Sequence, residues 1–284
     1  MPEAEEIFDH LFYRPLAFVL VKAIYRLPIT PNGVTLFSII TGFLAAWFFG
    51  IGTSSALIVG ALWYVLTNIL DCADGQLARL QKSGTLLGRV VDGVVDYIIS
   101  LAIFIGIGVG LEGSGNGMWV LVVLTGVSSA IHAMFFDHYQ SEFISTVRGE
   151  RNFLQSELEQ FTDEIERLKS EHRDGIKLFF LSLYVWYLHL QQRASTREHV
   201  YQFDPQTYRK QNILMIRLWS FLGPTTNRTL LIICALVGRI DAYLWIVLTV
   251  GNLWLAASYL LQRRIHRNLE AIGAMQTVAE KIHT

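Results

Sequence analysis

The chain is poor in charge and poorer still in cysteine. Asp, Glu, Lys and Arg make up 17% of its 284 residues and leave a formal net charge of −1, so no global basic field argues for nucleic acid, and no basic-aromatic recognition module is present. Nucleic acid is a poor fit as a partner. The two cysteines, Cys72 and Cys234, lie far apart in apolar stretches, a setting that suits small buried hydrophobes better than a disulfide framework or a thiol site. The opening "MPEAEEIFDHLF" is acidic and lacks the basic stretch and apolar core of a cleaved signal. The first spanning helix is therefore expected to serve as its own insertion signal.

What the chain has in abundance is apolar surface, 52% of its residues being hydrophobic. A soluble domain carries about 25% charged residues, so this composition predicts an all-α integral membrane protein. A bilayer core about 30 Å thick needs roughly 20 mostly apolar helical residues. Six runs approach this, near Val34 to Ile51, Ser54 to Leu70, Leu86 to Val109, Met118 to Phe136, Ile213 to Val237 and Ala242 to Leu261. The breaks "GIGTSS", "LEGSGNG" and "GRID" are short, so the helices they join are expected to be antiparallel neighbours.

Lys and Arg gather on one side of this scheme: Lys22 and Arg26, then Arg79, Lys82 and Arg89, then residues 138–211, then "QRRIHR" at 262–267. The opposite loops hold Arg239. By the positive-inside rule both termini and the charged segment face the cytoplasm. Before the first span, "RPLAFVLVKAIYRL" places Leu16, Val19, Leu20, Ala23 and Leu27 near one helical face, which predicts an interfacial amphipathic helix over residues 1–31. The prolines of "PITPN" end it, and Asn32 or Thr35 is expected to cap the next helix. Residues 32–137 then hold four spans, 138–211 a cytoplasmic helical insert, 212–262 two more spans and 263–284 a cytoplasmic tail.

Within the insert Leu154, Leu158, Phe161, Ile165 and Leu168 recur at alternating four and three spacing, a coiled-coil seam two heptads long. Two uses fit it, a helix hairpin packed on its own domain or self-association. "IKLFFLSLYVWYLHL" follows, short for a span and expected to be interfacial or buried.

The charges that do occur inside the apolar part are concentrated. Asp71 and Asp74 are three apart at the end of the second run, and Asp92 and Asp96 four apart near the start of the third. On helices each pair shares a face, and Ser83 with Gly84 makes the turn that lets the two faces oppose. An acidic residue inside a membrane helix costs about 2.5 to 3.5 kcal/mol on insertion scales, so something positive must sit among four of them. Arg79 and Arg89 could offset part of this as a salt-bridge network. Four carboxylates converging on one point also supply the hard oxygen ligands that Mg²⁺, Mn²⁺ or Ca²⁺ prefer, and a divalent metal site accounts for them better. Two ions about 3.5 to 4 Å apart would suit phosphoryl transfer. Gly75, Ala78, Gly88 and Gly93 lack bulk near these faces, which means either close helix packing or room for a ligand.

Taken together the stretch reads Asp71-x2-Asp74-Gly75-x2-Ala78-Arg79-x8-Gly88-x3-Asp92-x3-Asp96. It resembles the signature of the CDP-alcohol phosphotransferases, integral membrane enzymes of phospholipid synthesis, at all eight positions and with every spacing kept. "ITPNGVT" also resembles that family's N-terminal segment. The resemblance implies transfer of a phospho group from a CDP-linked donor to an alcohol with release of CMP. It implies Asp71, Asp74 and Asp92 as ligands for Mg²⁺ or Mn²⁺, with two ions expected, and Asp96 shared between metal contact and removal of the hydroxyl proton. It implies Gly75, Ala78, Arg79 and Gly88 along the nucleotide, with Asn32 at the rim, and a homodimer.

A phosphorylated acceptor needs cations near the later helices, where Arg217, Arg228, Thr225 and Thr226 stand in "IRLWSFLGPTTNRT", arginine gripping phosphate in a two-pronged way. Arg217 also has the simpler reading of a side chain snorkelling to the interface. Asp137 and His138 end the fourth run, as acceptor contacts or as a solvated helix end, and His132 is expected to be a hydrogen-bonded packing residue. The leading expectation is CDP-diacylglycerol as donor and inositol phosphate or glycerol phosphate as acceptor. The alternatives are a CDP-choline or CDP-ethanolamine:diacylglycerol phosphotransferase and, more distantly, a divalent-cation transporter, which would place acids near the membrane midplane and repeat them.

Overall fold

The computed structural model describes residues 1–83, 86–112, 117–149, 153–170, 175–194 and 204–283, and every regular element among them is helical. Gly84 of the expected turn lies outside these residues. In order the helices are α1 (Arg14–Ile24), α2 (Pro31–Ile51), α3 (Ser54–Leu80), α4 (Leu86–Gly110), α5 (Gly117–Arg148), α6 (Phe153–Ser170), α7 (Gly175–Ala194), α8 (Pro205–Trp219), α9 (Pro224–Leu236), α10 (Ile240–Ile246) and α11 (Asn252–His283). Five stretches among the described residues are long and apolar enough to cross a membrane: Pro31–Ile51, Ser54–Leu80, Asp92–Gly110, Gly117–Arg148 and Ile240–Leu269. The chain is thus built as a multi-pass membrane protein.

The fifth expected run, Ile213 to Val237, is not one helix. α8 ends at Trp219, a 3-10 turn covers Ser220–Leu222, and α9 starts at Pro224. Pro224 has no N–H to donate and tolerates only the first turn of a helix, so "LGP" breaks what hydropathy alone reads as continuous.

The helices group into two compact units, one of Glu5–Ala133 with Phe221–Asn252, the other of Met1–Ala4, Met134–Ser220 and Leu253–Thr284. In the first, α2, α3 and α4 pack around Ala45, Phe49, Leu57, Ala61, Ile103 and Ile107, with Leu231, Ile232 and Ala235 of α9 and Tyr243 and Leu244 of α10 closing the same core. α2 and α4 approach backbone to backbone: a Cβ at Gly106 would overlap the carbonyl oxygen of Ala46, and one at Gly110 that of Phe49. Glycines four apart allow this contact, which in lipid replaces the hydrophobic drive between helices. α9 runs antiparallel along α3, since Arg228 lies beside Asn68 and Asp71 while a Cβ at Gly238 would stand 4.0 Å from the Ser54 hydroxyl.

Caps fix where the site helices begin and end. Thr30, not Asn32 or Thr35, caps α2: its hydroxyl accepts from the Gly33 N–H at 3.2 Å, with Pro31 at the first helical position. The extended backbone of Thr30 is what a residue before proline prefers. At the end of α3, Lys82 adopts a positive φ of 51°, the Ser83 N–H donates to the Ala78 carbonyl and the Lys82 N–H to that of Arg79. This double closure satisfies the last carbonyls of α3.

α1 lies against α3 through Ala17 and Val21, which pack with Ala73 and Leu77. Leu16, Phe18, Val19 and Leu27 remain exposed, so much of the expected apolar face is turned away from the protein. In the second unit α6 and α7 form a hairpin. Phe161, Ile165 and Leu168 of the seam are buried with Leu181, and the Phe161 and Tyr184 rings sit 4.7 Å apart. The side chain of Leu154 lies outside the described residues. The seam therefore serves a hairpin within the chain. α7 is not among the five stretches able to span.

Candidate active site

α3 and α4 carry the aspartates in the positions their spacing requires. Asp71 and Asp74 stand on successive turns of α3, Asp92 and Asp96 on successive turns of α4. One carboxylate oxygen each from Asp71, Asp74 and Asp92 lie within 4.8 Å of one another. Oxygens around a single Mg²⁺ stand roughly 3 to 4 Å apart, so small side-chain rotations close this set. The donors are all hard carboxylate oxygens, the ligand type Mg²⁺ and Mn²⁺ take, and the residues present fit such an ion.

Thr35 of α2 donates to Asp74 Oδ2 at 2.6 Å. Its hydroxyl also lies 3.1 Å from the Pro31 carbonyl, and the shorter contact is the one to the charged acceptor. The residue read from sequence as a cap thus orients a carboxylate of the cluster.

Asp96 has a different partner. Its Oδ2 receives a hydrogen bond from Arg228 Nη2 of α9 at 2.8 Å. Arg228 Nη1 donates to Asn68 Oδ1 at 3.2 Å and stands 3.8 Å from Asp71 Oδ2. Asn68 is itself held, its amide donating to the Tyr64 carbonyl at 2.6 Å. Of the two arginines proposed for an acceptor, Arg228 thus stands among the aspartates; Arg217, exposed on α8, belongs to the other unit.

The small residues divide by role. Among the described residues, a Cβ on Gly93 would meet nothing within 4 Å, and one on Gly75 would meet only the guanidinium of Arg79, at 3.6 Å. Neither glycine serves helix packing, in contrast to Gly106 and Gly110, so the space beside the aspartates is open. Ala78 is half-buried, and Gly88, Arg79 and Asn32 are exposed around it.

The N-terminal segment supplies what the sequence did not disclose. Glu6 is buried and its carboxylate accepts from the Thr225 N–H at 3.1 Å, the Thr226 N–H at 2.7 Å and the Thr226 hydroxyl at 3.0 Å. It caps α9, whose own cap residue Gly223 offers no side chain, and a Cβ on Gly223 would overlap that carboxylate. Burial pushes the Glu6 carboxyl up to about 7 against the pull of these N–H groups. Burial likewise raises Asp9, opposed first by Arg14. Tyr13 adds a 3.1 Å hydroxyl contact to Thr229.

His132 is buried and hydrogen-bonded to Asn252 Oδ1 at 3.1 Å. His138, in the second unit, faces Glu142 at 3.7 Å; Glu142 also accepts from Tyr208 at 2.9 Å and lies 3.0 Å from His266 Nε2.

Compared with known families, residues 28–152 match the model of the CDP-alcohol phosphatidyltransferases. No curated protein matches the chain. The match runs from the approach to α2 into the end of α5 and so contains both helices that carry the aspartates, while Glu6 and Arg228 lie beyond it on either side. That segment is similar to the CDP-alcohol phosphatidyltransferases, a family of transferases of substituted phosphate groups.

Proposed function

We propose that the protein transfers a phosphatidyl group from CDP-diacylglycerol to the hydroxyl of a polar alcohol and releases CMP. The observation that carries this is the meeting of Asp71, Asp74 and Asp92 oxygens within 4.8 Å inside the family-matched segment. These three would hold Mg²⁺ or Mn²⁺, two ions by the family resemblance. Such cations, when bound, neutralise a diphosphate and stabilise charge on the departing CMP oxygen.

The protein's own groups divide the remaining work. Thr35 keeps Asp74 turned to the cluster. Gly75, Ala78, Arg79 and Gly88, with Asn32 at the rim, border the nucleotide, and the open space at Gly75 and Gly93 leaves the backbone approachable. Asp96 accepts the proton of the attacking hydroxyl, and holding donor and acceptor in one geometry removes the entropy of their encounter.

For the acceptor, with inositol phosphate or glycerol phosphate as substrate, the sequence offers Thr226 and Arg228 as contacts in the unit of the aspartates, and Arg217 and His138 in the other. One observation favours a second reading. Thr226 is already engaged by Glu6 and Arg228 by Asp96, so two of these contacts are already taken up by carboxylates. That suits an acceptor without phosphate, as in transfer from CDP-choline or CDP-ethanolamine to diacylglycerol.

Six crossings complete the proposal, the sixth being the run 213–237, whose second part, α9, packs into the core with α3. Both termini, the aspartates and the 138–211 insert then face the cytoplasm, with α1 lying in the interface. A homodimer follows from the family resemblance alone, and because α7 covers the α6 seam, it would use other surfaces.

The test is CMP release by the purified protein with Mg²⁺, each CDP-linked donor and a panel of alcohols. Release from CDP-diacylglycerol with a polar acceptor supports the first reading, and release from CDP-choline with diacylglycerol the second. No release from any CDP compound would sink both.

A further inference from the structure

The family match ends before α9, yet a side chain of α9 is bonded into the aspartate cluster. Arg228 is largely enclosed, its side chain 14% exposed, and it reaches Asp96 at 2.8 Å and Asp71 at 3.8 Å. The helix that carries it is anchored three times over: Glu6 caps its first turn, Tyr13 contacts Thr229, and Leu231, Ile232 and Ala235 are buried in the core shared with α2, α3 and α4. The guanidinium also takes a second partner, Asn68, which is fixed by its own bond to the Tyr64 carbonyl. Two prongs on two acceptors, one of them held by its own bond, leave it little freedom of rotation, a hold that a lysine point charge lacks.

Asp92 and Asp96 share one face of α4, yet they end in different places. Asp92 supplies an oxygen to the three-carboxylate group and Asp96 is not part of it. Asp96 is bonded instead to Arg228. An enclosed ion pair of this kind is weak evidence for stability, because taking both charges out of water offsets their attraction. Its consequence is orientation: one oxygen of Asp96 is tethered.

We propose that Arg228 is a positioning residue which, with Asn68, holds Asp96 apart from the metal-ligand set and aims it at the acceptor hydroxyl, so that the site is incomplete without α9. This rests on the reading of Asp96 as the proton acceptor. In that step the hydroxyl proton passes to a carboxylate oxygen of Asp96, the alcohol oxygen bonds to the donor phosphorus, and the bond from phosphorus to CMP breaks with its electron pair leaving on CMP.

The full-length protein in detergent or nanodiscs tests this with Arg228→Gln, Arg228→Lys, Asn68→Ala, Asp96→Asn and the double variant Asp96→Asn/Arg228→Gln. Readouts are kcat, the KM of each substrate, Tm, and Mn²⁺ binding followed by electron paramagnetic resonance without substrate. Losing a positioned general base costs about 10²- to 10⁴-fold. Arg228→Gln should therefore lower kcat about a hundredfold or more with acceptor KM within about twofold, and Mn²⁺ should still bind. Arg228→Lys should recover only part of that loss, Asn68→Ala should lower kcat to a smaller extent, and the double variant should be no slower than Asp96→Asn alone.

Arg228→Gln that raises acceptor KM with kcat intact makes Arg228 a substrate ligand and overturns the proposal. Additive losses in the double variant overturn it as well. Loss of Tm with normal kcat in the folded fraction makes the pair purely structural. If Arg228→Gln does not fold, full kcat in Asn68→Ala and Arg228→Lys has the same force. Asp96→Asn retaining full kcat removes the base reading itself, an outcome distinct from all of these.

Discussion

Thr35 on α2 donates a 2.6 Å hydrogen bond to the Asp74 carboxylate on α3. The bond fixes which way Asp74 points, and partners of this kind typically change metal affinity or activity by 10- to 100-fold when removed. Thr35→Val is expected to raise the Mg²⁺ concentration for half-maximal CMP release by roughly that factor, and Thr35→Ser to restore it. Equal Mg²⁺ dependence in Val and wild type would show that Asp74 needs no such support.

Asp71, Asp74 and Asp92 each contribute an oxygen to one small volume. Replacing any of them by Asn should cost more than the 10- to 100-fold typical of an outer partner, and raising Mg²⁺ should not fully rescue it. Direct Mn²⁺ binding separates this from a folding defect: each Asn variant should bind Mn²⁺ more weakly than wild type at unchanged Tm.

Glycines beside the aspartates and glycines between α2 and α4 should respond oppositely to added bulk. Gly93→Ala meets nothing within 4 Å among the described residues and removes a helix glycine, so Tm should hold or rise while donor KM increases. Gly106→Val drives a side chain into the Ala46 carbonyl and should cost about 1 to 3 kcal/mol of stability, read as a fall in Tm. A fall in Tm for Gly93→Ala would put that glycine in packing instead.

Glu6 sets a pH dependence outside the spanning helices. Its folded pKa of about 7 lies above the ordinary 4.5, so between these values the folded protein keeps a proton that the unfolded chain has released. Stability should therefore fall as pH rises from about 5 to 7 and then level off, by an amount on the order of 3 kcal/mol. Glu6→Gln cannot titrate, and the Tm difference between it and wild type should shift in its favour over that interval. A difference that stays flat with pH would mean that Glu6 is solvated.

The aspartate pattern was legible because helical geometry is local. Spacings of three and four put each acid pair on one face whatever surrounds it, and four carboxylates in an apolar chain already demanded a cation. The apolar runs likewise marked most helices, though not their ends. α3 continues to Leu80 and α5 to Arg148, well past the ends of the apolar runs at Leu70 and Phe136, because a helix persists into water when its closing carbonyls are met, as Lys82 and Ser83 meet those of α3. The break in the fifth run carried a local signal in "LGP", which hydropathy averaged away, and the capping role of Thr30 was hidden behind two other plausible caps.

By itself, then, the chain's order of residues determined an all-helical membrane architecture and a hard-oxygen cluster at facing helix ends, since burial and helical periodicity act over a few residues at a time. Only the tertiary structure decided which cation joins that cluster and what caps α9. Arg228 reaches Asn68 across 160 positions and Glu6 reaches Thr226 across 220, and no spacing rule extends that far. Those contacts exist because the helices pack their apolar faces together first, and the polar groups carried along must then find partners where packing leaves them.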